Sequence, residues 1–161
     1  MIKQKMNFKW FVLAGLLSIS SACSQQPVSI QGLVIQTIHA SNTCGIPEAT
    51  VKSIDSQADL NHLMQTMPKS FGLGEMFEPD INYEHQMLIL YAIGQKPSAG
   101  YSIEQYGSDA SLIDQKLHLP VRVQSPVEGS VQAQMITSPC AIYLLPRVHY
   151  SEIIIENNQT D

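Results

Sequence analysis

Positive charge is what this sequence has least of. Nine Lys and Arg stand against 14 Asp and Glu over 161 residues, and three of the nine, Lys3, Lys5 and Lys9, crowd into the first ten positions. Beyond residue 22, six basic residues face all 14 acids, a formal net charge of −8. That balance excludes a nucleic-acid binder, which gains affinity by neutralising phosphates with Lys and Arg. Long apolar runs are missing too: none reaches the roughly 20 residues of a transmembrane helix. Signatures of chemistry are absent, with no His-Glu-x-x-His, Gly-x-Ser-x-Gly, P-loop or Cys-x-x-Cys. The histidines, His39, His62, His85, His118 and His149, fall at no ligand spacing. The acids Glu75, Glu78, Asp80 and Glu84 lack the regular oxygen spacing of a calcium loop and read as a solvated loop. No catalytic residue, metal or cofactor is therefore expected.

Cysteine is scarce, and its count is odd: Cys23, Cys44 and Cys140. The first has a specific context. Lys3, Lys5 and Lys9 precede an apolar or small-residue run, Trp10–Ile19, and then Ser20-Ser21-Ala22. This is the basic, apolar and small-residue order of an export signal, too short to span a bilayer. Ser21-Ala22-Cys23 resembles the end of a bacterial lipobox, with Ser20 standing where an aliphatic residue is usual. The reading is a signal over 1–22, lipidated Cys23, and a polar tether over 23–30. Ser24 after the cysteine resembles the class retained at the outer membrane. The other two cysteines can then pair in an oxidising periplasm. Such a bridge closes a loop of 95 intervening residues, worth about 4–5 kcal/mol on the chain-entropy model. Cys140 as a nucleophile would need a base that spacing does not locate, so a disulfide half is the simpler reading.

Residues 31–161 read as one β-rich domain of a size that supports a single core. Gly32–His39 is a short β-branched strand, and Ala40–Pro47 is a loop. Ser56 and Asp59 have the spacing of a capping box, followed by Leu60, Leu63, Met64 and Met67 on one helical face, ending before Pro68. The methionines read as core packing rather than a soft metal site. Phe71–Glu84 is a long surface loop, and Gln86–Ile93 is a buried central strand. Strands follow at Tyr101–Tyr106, at Lys116–Val123 with Pro120 marking an edge or bulge, at Val131–Met135, at Ala141–Leu145 and at Glu152–Glu156. The expected class is mostly β (α+β): an antiparallel β-sandwich or curled sheet with one packed amphipathic helix.

Two loops stand out. Lys96, Pro97, Ser98, Ala99, Gly100 and Tyr101 join the central strand to the next, with Pro97 fixing φ and Gly100 permitting a close backbone approach. Thr137-Ser138-Pro139-Cys140 breaks one strand and opens another. On residues alone both are structural turns, and Tyr101 packs inward or points outward. Over 86–147, the apolar strand, Gly94…Lys96-Pro97-Ser98-Ala99-Gly100-Tyr101, Ser138-Pro139 and Leu145-Pro146-Arg147 resemble the C-terminal domain of the protease complex subunit PrcB family. Ser98-Ala99 replaces that family's Thr-Gly, and Cys140 stands where an aromatic is usual. The resemblance implies a non-catalytic lipoprotein that binds a protein partner, a protease or its complex, with Lys96–Tyr101 as the contact. Lys96–Tyr101 is also similar, more weakly, to a loop of chagasin-like cysteine-protease inhibitors, whose loops plug a protease cleft from one end of a β-sandwich. Only Pro146-Arg147 comes near their second loop. An envelope enzyme of unknown class is the third alternative.

Overall fold

The computed structural model describes residues 29–68 and 80–156. The expected leader, Cys23, the tether up to residue 28, and the loop with Glu75 and Glu78 lie outside the described residues. The elements are β1 Ser29–Val34, β2 Gln36–Ser41, β3 Ala49–Ile54, α1 Gln57–Thr66, β4 Gln86–Ile93, β5 Ser102–Gln105, β6 Asp109–Ile113, β7 Lys116–Leu119, β8 Val121–Gln124, β9 Cys140–Pro146 and β10 Glu152–Ile155. One sheet runs β2-β9-β4-β3, a second runs β1-β6-β7-β10, and β5 and β8 form a two-stranded ribbon. The class is as expected: mostly β, open rather than closed into a barrel, with one helix.

Strand β4 explains the architecture. It lies between β9 and β3, antiparallel to both. Successive side chains of a strand point to opposite faces. Met87, Ile89 and Ile93 enter one core with Leu117, Leu119, Val121 and Tyr143. Leu88, Leu90 and Ala92 enter another with Leu60, Leu63 and Met67 of the helix region. Both faces are covered, so alternation disappears and the run is apolar throughout. Each large side chain so buried contributes about 1.5–3 kcal/mol. The helix needs that packing, because ten residues are marginal alone. Its start is the capping box: the Asp59 amide donates to Ser56 Oγ at 3.1 Å.

Two expected strands are each split between sheets. Gly32–His39 breaks at Ile35, whose buried side chain and amide bond to Ser108 O at 2.9 Å turn the chain. The preceding β1 then pairs with β6, and the following β2 pairs with β9. Lys116–Val123 breaks at Pro120, which lacks an N–H for a ladder. Strand β7 pairs with β6 and β10, while β8 pairs with β5. The β10–β7 pair is parallel, while the other strand pairs are antiparallel. Strands β3 and β6 had no clear sequence signal. The expected strand Val131–Met135 does not form. Residues 125–136 instead make an excursion between β8 and β9, for a reason seen at the loop end below.

Candidate functional site

The two loops singled out in the sequence are one structure. The chain leaves β4 at Gly94, where φ is +73° and an added Cβ would sit 2.9 Å from the Ala49 amide nitrogen. Only glycine fits such a position without strain. Gln95 N then donates to Pro47 O at 3.0 Å. Lys96 and Thr137 exchange backbone hydrogen bonds of 2.8 and 3.0 Å, which is an antiparallel bridge. Thr137 Oγ1 donates to Ser98 O at 3.0 Å, and Ala99 N donates to Ala133 O at 3.0 Å. Gly100, at φ +92°, lies under Gln132, whose Oε1 would be 2.8 Å from an added Cβ.

Tyr101 answers the inward-or-outward question with both. It is half-buried and packs on the core between the sheets. Lys96 Nζ lies 5.7 Å from its ring centroid, within cation–π range. Pro97 and Gly100 are exposed, while Lys96, Ser98 and Ala99 are half-buried. The loop is thus pinned at its base and open at its tip.

Behind it, Ser138 ties the site to the chain before β3. Its amide donates to Asn42 O at 2.8 Å, its carbonyl accepts from Cys44 N at 3.0 Å, and its Oγ accepts from Gly45 N at 2.6 Å. Thr137 and Ser138 are buried polar residues whose hydrogen bonds are met. Next to them Cys44 and Cys140 form the expected disulfide, with Cα atoms 5.9 Å apart.

Spacing gave no hint of one neighbour. His39 has a ring nitrogen within 4.8 Å of both sulfurs. It reaches them because His39 pairs with Ile142, and Ser41 with Cys140, on the β2–β9 ladder. Burial lowers its pKa below the ordinary 6.5. With both sulfurs in the disulfide, the cluster offers a cation only the imidazole. Elsewhere on the described surface, Arg122 pairs with Glu104 at 3.1 Å, Lys116 with Glu152 at 2.9 Å and Arg147 with Asp55 at 3.2 Å. Glu104 sits below the usual carboxylate range because Gln124 and Arg122 hydrogen-bond to its charged form.

What sequence reasoning missed most is the excursion beside the loop. Val127 is 77% exposed, Val131 99%, Met135 44% and Ile136 71%. The Val131–Met135 alternation suggested a half-buried strand, yet Gln132 turns inward over Gly100 while Val131 points to water. The stretch cannot join the main sheet, because β9 already has β2 and β4 on its two edges. Its partial pairing goes to the 96–99 loop instead. The lack of a turn signal between Met135 and Thr137 was the one available warning. Over 95–101 and 126–139 the titratable side chains are Lys96, Tyr101 and Glu128. Such a surface can make apolar contacts and hydrogen bonds.

Pro146-Arg147, the nearest thing to a second inhibitor loop, lies at the other end of β9. Pro146 pairs with Gln86 and Cys140 with Ala92, so about 20 Å of strand separates it from the Lys96–Tyr101 loop. Arg147 is held there by Tyr83 O and Asp55. No curated protein and no solved structure matches the chain. Residues 87–145 match the family model described as PrcB C-terminal. The match runs from within β4 to within β9 and takes in both loops.

Proposed function

We propose that this protein is a membrane-anchored, non-catalytic lipoprotein of the bacterial cell envelope that binds a protein partner, a protease or its complex. One observation carries the reading: four exposed apolar residues, Val127, Val131, Met135 and Ile136, lie on the one excursion that bonds to the 96–99 loop, a loop fixed by five backbone and side-chain hydrogen bonds. Large exposed apolar residues in one place mark interaction surfaces. A loop already held in shape costs little ordering on binding. The PrcB resemblance supplies the kind of partner, since the family's namesake is a lipoprotein associated with a cell-surface protease. Pairing of Cys44 with Cys140 leaves Cys23 as the cysteine over, which suits lipidation there.

The test is recovery of an envelope protease with the tethered full-length chain. Tyr101→Ala and Ile136→Glu should each lower recovery by about tenfold or more at unchanged yield, as loss of an interface anchor does. Unchanged recovery in both contradicts the reading. Separately, Cys23→Ser should release the protein from membranes, and continued retention refutes the anchor. A soluble fragment that blocks a papain-like protease at nanomolar concentration would favour the chagasin-like alternative.

A further inference from the structure

We propose that His39, Cys44 and Cys140 are a metal site in a second state of the chain: once their disulfide is reduced, they bind Zn²⁺. The proposal goes beyond the protein-binding reading and stands without it. Two thiolates and one imidazole are a ligand set that zinc takes, with its fourth position left to water. Three observations combine. The first is distance. The His39 ring nitrogen and the two sulfurs all lie within 4.8 Å of one another. A tetrahedral zinc ion with ligands at about 2.0–2.3 Å spaces them roughly 3.5–3.8 Å apart. With the two Cα atoms 5.9 Å apart, side-chain rotation alone opens the freed sulfurs to that spacing.

The second observation is that the backbone at all three ligands is held by bonds that outlast the disulfide. On the β2–β9 ladder, His39 pairs with Ile142 and Ser41 with Cys140. Cys140 also pairs with Ala92 of β4. The Cys44 amide donates to Ser138 O at 3.0 Å, and the Gly45 amide donates to Ser138 Oγ at 2.6 Å. A ligand set already in place lowers the ordering cost of binding. The third observation is availability. Among the described residues, the histidine ring that hydrogen-bonds is that of His118, and the His39 ring has no such partner. Cys44 lines a groove of about 250 Å³ with Gly45, Ile46, Pro47 and Leu63, while Cys140 lies behind it, 1% exposed.

The reductant is a dithiol, acting by thiol–disulfide exchange. One of its thiolates attacks Cys44 Sγ from the groove, and the S–S electron pair leaves on Cys140 Sγ. The second thiolate of the dithiol then attacks the first and releases Cys44 Sγ. Two electrons and two protons pass to the cysteines, and the dithiol ends as a disulfide. Zinc then displaces the two thiol protons.

The probe is Co²⁺, a coloured stand-in for Zn²⁺, titrated into the full-length chain with Cys23→Ser, so that Cys23 supplies no thiolate. The reduced chain should take up Co²⁺ with a thiolate-to-cobalt charge-transfer band in the near ultraviolet, and added Zn²⁺ should remove that band. The oxidised chain should show no band. In the reduced chain, His39→Gln should weaken Co²⁺ binding at least about tenfold, whereas His149→Gln, at an exposed residue, should bind as the parent does. Circular dichroism follows the fold throughout. A reduced chain that unfolds without metal should refold with Zn²⁺, because binding is then folding free energy. No band in the reduced chain, equal affinity after His39→Gln, equal binding by the oxidised chain, or a reduced chain that stays unfolded with Zn²⁺ would each overturn the proposal.

Discussion

Lys116–Gln124 and Ser130–Ile136 carry a similar alternation of apolar and polar residues and meet opposite fates. In the first, Leu117, Leu119 and Val121 are wholly buried, with β6, β10 and β5 as partners. In the second, Val131 is in water and Ala133 O bonds to the 96–99 loop rather than to a sheet. Alternation states that a segment is able to sit in a sheet. Partner availability decides whether it does so within the chain. The first stretch is spent on the fold, and the second is left over for something else.

The largest effect comes from the staple behind the loop end, which ties the start of β9 to the chain before β3. Cys44→Ser with Cys140→Ser should lower unfolding free energy by about 4–5 kcal/mol in urea titrations, following the 96-residue separation. A loss below about 1 kcal/mol would show that the hydrogen bonds around Ser138 hold the loop end alone. Next, Leu119→Ala should cost about 2–5 kcal/mol, against roughly 0.5 kcal/mol or less for Val131→Ala. Comparable costs would mean that the excursion is packed in solution and would break the contrast.

A smaller effect concerns His39. Its folded pKa lies below the unfolded value of 6.5, so the unfolded chain takes up the proton first. Stability is then full above pH 6.5 and falls as pH drops through the lowered value. His39→Gln should flatten melting temperature against pH in that window, and an unchanged slope would place the dependence elsewhere. Smallest is the surface pair on the β5–β8 ribbon. Arg122→Ala should cost under about 1 kcal/mol, since both partners are well exposed. The contribution of Glu104, whose pKa is held down, is present above pH 4.5 and lost as pH falls through the lowered value. A larger cost would mark the ribbon as more than a solvated surface.

The sequence made the central strand, the capping box and the cysteine pair legible, because each depends on local chemistry or a simple count. Leu88 through Ile93 could hardly be anything but buried, and Ser56 three residues before Asp59 is a local signal. Switches between sheets at Ile35 and Pro120 were less legible: Leu33-Val34-Ile35 is a continuous apolar run, and Pro120 signals an edge or bulge without showing that the chain changes sheet. Strand β3 was hidden because much of it is exposed and it pairs on one edge only. At the site, both loops were visible as turns, but their union through Lys96–Thr137 is a contact between residues 41 positions apart. The outward side of Val131 was illegible because it depends on β9 having both neighbours already.

The central claim, that the loop and excursion form a docking surface for an envelope protease, has one direct measurement. A photo-crosslinking amino acid is placed at Val131, and in a second preparation at Lys116 on the start of β7, in the full-length protein in its native envelope. Adducts are identified by mass spectrometry. The account predicts a protease adduct from Val131 and none from Lys116. Equal adducts from both sites, or no protease adduct from Val131, would contradict it.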